Sequence, residues 1–249
     1  MSLGIPGLDH AIGGGIDSGE MIILGGLPSH GKTLTALQAV RATVERRKSA
    51  IYVSLEMTAA QIAKRLIAAR TTRESREWFE HTDELRADSA LYWRTAGKLT
   101  LLEHCWEIGR IEREIGKIAS GDPPALIVID HAQLVRGQGN NRYEQMCDVS
   151  ARCKALAVEH DCPLILLSQL NREAAKTGVA KSHHLKESGS FEQDADVVIF
   201  VRWPWKADPE REQPHRYVFK ITKNRNRPIV NWNVEAVINP ARQTITRGF

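Results

Sequence analysis

At 249 residues the chain is long enough for one large α/β domain with a substantial core and too short for a second full domain beside it. Its 34 basic and 30 acidic residues leave a net charge of only +4, which excludes a dominant polybasic tail, so any nucleic-acid contact must come from a few placed residues. Four cysteines without a C-x-x-C pair, no secretory leader and no apolar run of bilayer length argue against a zinc site, a disulfide scaffold and a membrane span, and point to reduced thiols in a cytoplasmic protein.

The first apolar run, Met21 to Leu24, leads directly into Gly26-Leu-Pro-Ser-His-Gly31-Lys32-Thr33. This matches G-x-x-x-x-G-K-[ST] between a strand and a helix, the setting in which backbone N–H groups and the positive helix end cradle phosphate. Lys32 supplies a compact ammonium for the terminal phosphates, and Thr33 a hydroxyl for a hard Mg2+ ion. Leu34, Leu37, Val40 and Val44 then repeat at helical spacing over Lys32 to Arg47. A second strand, Ala50 to Ser54, runs into Leu-Glu56-Met57, followed by a helix over Ala59 to Ala69.

Thr71 to Gly97 is charged, carries Trp78, Phe79, Tyr92 and Trp93, and is expected to be helical and partly on the surface. Isoleucine recurs at 108, 111, 115 and 118 on a further helix. Leu126 to Ile129 is a strand ending in Asp130, and Leu164 to Leu167 one running into Ser-Gln169-Leu-Asn-Arg172. Val197 to Val201 completes the continuous apolar runs, which belong to strands buried on both faces. Tyr217 to Thr222, Asn231 to Ile238 and Gln243 to Thr246 alternate instead, with turn residues between them, and read as antiparallel. The fold class is therefore α/β: a mostly parallel central sheet flanked by helices, with antiparallel C-terminal strands.

If those strands are parallel neighbours, their polar ends gather at one sheet edge. Asp130 would hold Mg2+, Glu56 would orient and deprotonate a water, and Gln169 would hydrogen-bond a γ-phosphate and report its loss. The nine histidines, including His183-His184, lack metal-ligand spacing and are expected on the surface or in loops.

Taken together, Gly-Ile-Pro-Gly-Leu-Asp9, the phosphate loop, Ser-Leu-Glu-Met57, Ile-Asp-His-Ala-Gln-Leu134, Leu-Ser-Gln-Leu-Asn-Arg172, Leu-Lys-Glu-Ser-Gly-Ser-Phe-Glu-Gln-Asp-Ala-Asp196 and Lys-Asn-Arg-Asn-Arg-Pro228 resemble the C-terminal motor domain of DnaB-type replicative helicases, in order and over nearly the whole chain. The resemblance implies a single RecA-like ATPase domain over 1–249 that binds ATP and Mg2+ and translocates on single-stranded DNA as a homo-oligomer, a hexamer by family. By resemblance Glu56 is the catalytic carboxylate, Asp130 the Mg2+-associated acid and Gln169 the phosphate sensor. Gly26, Ser29, Gly31, Lys32, Thr33 and Leu34 contact the nucleotide. Lys223 and Arg225 match the basic pair that a neighbouring subunit inserts toward the γ-phosphate. Lys186, Glu187, Ser188 and Gly189, with Arg172, match DNA contacts.

The chain starts where the family's motor domain starts, so a separate primase, loader or collar protein is an expected partner. The expected location is the cytoplasm of a bacterium or phage-infected cell. Lys186 stands where arginine is usual and Arg227 where glycine is common. His30 and His131-Ala132 are also unusual, at positions where the chemistry asks for no particular side chain. Two alternatives stay open: a recombination ATPase resembling the RadA or KaiC groups, and a nucleotide-binding accessory or loader with little turnover.

Overall fold

The computed structural model describes residues 1–70, 94–170 and 189–248. Six strands run parallel: β1 (Met21–Gly26), β2 (Ala50–Ser54), β3 (Leu99–Glu103), β4 (Leu126–Asp130), β5 (Leu164–Gln169) and β6 (Val197–Arg202). Three more, β7 (Arg216–Asn224), β8 (Asn233–Asn239) and β9 (Thr244–Arg247), continue the sheet antiparallel, in the order β3-β2-β4-β5-β1-β6-β7-β8-β9.

Every residue of β1, β2 and β4 is buried, because successive side chains enter two different cores. Ile22, Tyr52, Val128, Ile165 and Ile199 pack on one face with α1 (Pro6–Ala11), α2 (Lys32–Val44) and α3 (Ala59–Arg70). Ile23, Val53, Ile129, Leu166 and Phe200 pack on the other with α4 (Ile108–Ala119), α5 (Arg142–Glu159) and Phe191 of α6 (Gly189–Asp194). Along β7 only Tyr217, Phe219 and Ile221 are buried, so the alternation there reflects a sheet with one covered face.

Four elements had no clear sequence signal, one of them the six-residue α6. The half-buried edge strand β3 follows the irregular stretch, and the helix α1 is only six residues long. The long helix α5 places Met146, Val149, Cys153 and Leu156 inward at helical spacing, but small and sulfur-bearing residues weaken that stripe. A cap was available to find it: the Asn141 side chain accepts from the Glu144 N–H at 2.9 Å while its amide donates to the Glu144 carboxylate. The helix α2 stops at Val44, short of the expected Arg47. Trp78, Phe79, Tyr92 and Trp93 lie outside the described residues. Among those described, no helix is long and apolar enough to cross a membrane.

Register decides what meets at the carboxyl edge. Gly26 pairs with Gln169, and Ser54 with Asp130. Lys223 and Asn224 pair instead with Val198 and Val197, at the start of β6, whereas Gly26 pairs with Val201 near its end. The basic pair therefore lies at the opposite edge of the sheet, roughly 13 Å along the strand.

Candidate active site

Between β1 and α2 the chain makes a tight loop in which Ser29 and Gly31 both take positive φ, 62° and 84°. A Cβ on Gly31 would stand 2.7 Å from the Tyr217 hydroxyl, so only glycine fits. That hydroxyl donates to the His30 carbonyl at 2.7 Å, bracing the loop from behind. Because α2 begins at Lys32, its first-turn N–H groups lack helical partners and are free to meet an anion.

His30 is buried, not on the surface, and its Nδ1 accepts the Trp203 N–H at 3.1 Å. Burial, then the charges of Lys32, Arg202 and Lys206, push its pKa down to about 4, which keeps the ring neutral and able to accept. The unfolded chain takes up this proton near 6.5 and the native ring only near 4. Stability should therefore fall as pH drops through that window and be unaffected by this group above it. Thermal denaturation of His30→Asn should show a smaller decline across the window than the wild type; equal declines would rule out His30 as the source.

Lys32 donates to the Gly26 and Leu27 carbonyls at 2.9 and 3.0 Å. Burial pushes the ammonium down to about 8, against the pull of Asp130 and Glu56, so a desolvated cation faces the loop. Thr33 Oγ1 donates to Asp130 Oδ2 at 2.8 Å, and the same oxygen accepts from the Tyr52 hydroxyl at 2.6 Å. Tyr52 escaped the sequence reading, although a tyrosine in a fully buried strand must find a polar partner.

Beyond Asp130, the buried His131 contacts two predicted residues at once. Its Nδ1 is 3.3 Å from Glu56 Oε2, and its Nε2 is 3.2 Å from Gln169 Nε2. Burial lowers its pKa, with Asp130 and Glu56 opposing. The sequence reading gave this position no role, whereas the buried imidazole has a polar neighbour at each ring nitrogen. Gln133, also missed, clamps the Gln169 backbone, its Oε1 accepting that N–H at 3.0 Å and its amide donating to Ser168 Oγ at 3.0 Å.

The cleft has a volume of about 570 Å³, and its walls include Ser29, Gly31, Lys32, Thr33, Leu34, Glu56, Asp130 and Gln169. Gly26 lies just beneath, where a Cβ would meet Val201 at 2.7 Å. A triphosphate suits the cationic, donor-rich loop. Mg2+ suits the hard oxygens of Thr33 and Asp130, whose atoms already adjoin, while the His131 nitrogens face Glu56 and Gln169.

Lys223 and Arg225 do not join this cleft. Lys223 donates to the Glu192 and Gln193 carbonyls at the end of α6, the latter at 3.2 Å. Arg225 donates to the Gln193 carbonyl and lies 3.5 Å from the Asp196 carboxylate, with its side chain 47% exposed. Arg227, in place of a common glycine, forms ion pairs with Asp17 and the buried Glu20 and ties the β7–β8 connection to the segment before β1. Of the expected DNA contacts, Gly189 opens α6, whereas Arg172, Lys186, Glu187 and Ser188, like His183-His184, lie outside the described residues.

A profile of the DnaB-like helicase C terminal domain matches residues 1–239. The replicative DNA helicase DnaB of Pasteurella multocida is 31% identical over 248 residues, covering 92% of this chain and 52% of that protein. The chain spans about half the length of the curated relatives it matches. A solved DnaB-like replicative helicase, described with its interactions with primase, has a TM-score of 0.89 at 22% identity, covering 99% of this chain and 61% of that one. A KaiC-like protein from Pyrococcus horikoshii has the same fold less closely, with a TM-score of 0.71 at 19% identity and coverage of 99% and 97%. Architecture alone does not separate these groups, but the profile and the aligned relatives do: the chain belongs to the DnaB-like helicase C-terminal domain family.

Proposed function

We propose that residues 1–249 act as one ATP-hydrolysing motor that moves along single-stranded DNA in replication, each active site being shared between two copies of the chain. The observation that carries this reading is the split of the chemistry between two sheet edges. Lys32, Thr33, Glu56, Asp130 and Gln169 converge on one cleft, and the half-exposed Arg225 stands with Lys223 at the other edge.

In this reading the loop N–H groups and Lys32 hold the phosphates of ATP, with Gly26, Ser29, Gly31 and Leu34 shaping the cradle. Thr33 and Asp130 would hold Mg2+, which when bound neutralises phosphate charge. Glu56 takes a proton from water as its oxygen attacks the γ-phosphorus; the bond to the bridging oxygen breaks, and ADP leaves with the electron pair. The Gln169 amide senses the γ-phosphate. Lys223 and Arg225 of an adjacent copy stabilise the charge that develops in the transition state, so turnover depends on assembly. The same reading extends to six copies, a primase, loader or collar partner, a cytoplasmic setting, and DNA contacts by Arg172, Lys186, Glu187, Ser188 and Gly189, and the DnaB-like family match supports it.

The test measures ATP turnover and mass in solution, with and without a non-hydrolysable ATP analogue and oligo-dT, beside strand-separation and strand-exchange assays. The expected result is turnover that rises with oligo-dT, a hexamer requiring both ligands, and strand separation. Tight ATP binding by a persistent monomer with background turnover would replace this reading with an accessory one, and strand exchange without separation would replace it with a recombinase.

A further inference from the structure

Three side chains whose positions in sequence are far apart form one chain of contacts beside the cleft: Glu56 two residues after β2, His131 after β4 and Gln169 at the end of β5. Chemistry orders the protons in it. An ionised carboxylate can only accept, so the hydrogen between Glu56 and His131 belongs to Nδ1. Nε2 is then the unprotonated nitrogen, and it accepts from the Gln169 amide, whose nitrogen faces it at 3.2 Å. One neutral tautomer satisfies both neighbours. The residue has 5% of its surface exposed and both ring nitrogens engaged, so it is not a group that meets substrate. What it can do is hold the two groups that do.

Resting on the hydrolysis proposed above, we infer that His131 is a positioning residue that ties the base Glu56 to the phosphate-sensing Gln169 through a single imidazole. Its Nδ1, 3.3 Å from Oε2, holds one oxygen of a largely exposed carboxylate and leaves the second for the attacking water. The link also makes the two responses interdependent. A Gln169 amide that turns toward a γ-phosphate pulls on Nε2, and the movement is passed to Glu56 through the buried ring. The Gln169 backbone is pinned by Gln133, so the motion is confined to the side chain.

Two readouts test this. The first is long-range 15N spectroscopy of the imidazoles, with the His131 signals identified by their loss in His131→Asn. The Nδ1–H tautomer is expected, Gln169→Ala should shift the Nε2 resonance, and Glu56→Ala should shift Nδ1. The opposite tautomer, or resonances indifferent to both substitutions, would overturn the link whether or not the protein hydrolyses ATP.

The second readout is a double-substitution cycle on DNA-stimulated turnover. His131→Phe, which keeps the ring but neither polar atom, should lower kcat about tenfold or more with ADP affinity and melting temperature retained. Gln169→Ala should cost far less in that background than alone. His131→Asn, which keeps a donor near the Nδ1 position, should recover part of kcat while remaining uncoupled from Gln169. Independent, multiplicative losses would overturn the coupling. A wild-type protein without turnover would instead defeat the functional reading, and the spectra would still decide the link.

Discussion

Arg225→Ala is expected to lower DNA-stimulated ATP turnover by about 10³-fold while leaving ATP affinity unchanged, the scale seen when a trans arginine is removed from a phosphoryl-transfer site. The reason is positional. Antiparallel pairing of β7 with β6 sets Lys223 and Asn224 beside the start of β6, while the phosphate loop sits beside its end. Arg225 cannot serve its own triphosphate without dismantling the sheet, and its side chain is 47% exposed, as the proposed role toward another copy requires. Mixing subunits makes the prediction sharp. Lys32→Ala lacks the phosphate cation and Arg225→Ala the finger, so each is inactive alone; at a mixed interface one orientation joins an intact loop to an intact arginine. Turnover recovered on mixing, and absent from either variant alone, would establish a shared site. An Arg225→Ala protein that hydrolyses at the wild-type rate would remove the basis for it.

Glu56→Gln should reduce turnover by about 10²–10³-fold and leave ATP binding intact, because it removes a general base without changing shape. The substitution is chosen for its neighbours. The carbonyl of the replacement amide can still accept from His131 Nδ1, so the imidazole keeps its partner and the cleft its packing. Single-turnover hydrolysis read beside the affinity for a fluorescent ATP analogue separates the two effects. Near-normal hydrolysis would pass the role of base to another group, whereas lost binding would mean that Glu56 serves the cradle and not the water.

Much of the architecture could be read locally. Where apolar residues run without a break, as in Met21 to Leu24 and Leu126 to Ile129, both faces of the strand must be covered, and the structure covers them with two helical layers. Alternation in Tyr217 to Ile221 announced a strand with one solvated face. The cradle was equally legible, since its glycines, lysine and threonine are contiguous and their spacing is itself the geometry. Elements were missed where burial is partial, as in β3, or where a helix covers the core with small residues, as in α5.

The polar network beside the cradle was not legible, and His131 shows why. Read in sequence it is an odd residue after an acid, and nothing within a few positions reveals a partner. Its partners come from the ends of strands 38 residues downstream and well upstream. Tyr52 likewise looks like an ordinary core aromatic until Asp130, 78 residues later, is brought to its hydroxyl.

Residue order alone determined the continuously apolar strands, the helices with a strong apolar stripe and which loop can grip phosphate, because those outcomes depend on neighbours within one helical turn or one pleat. Only the tertiary arrangement decided that Thr33, Tyr52 and Asp130 would share one carboxylate, that an imidazole would join Glu56 to Gln169, and that the Lys223–Arg225 pair would face away from its own cleft. Those outcomes depend on strand order and register, which sequence-distant packing sets and no local pattern records.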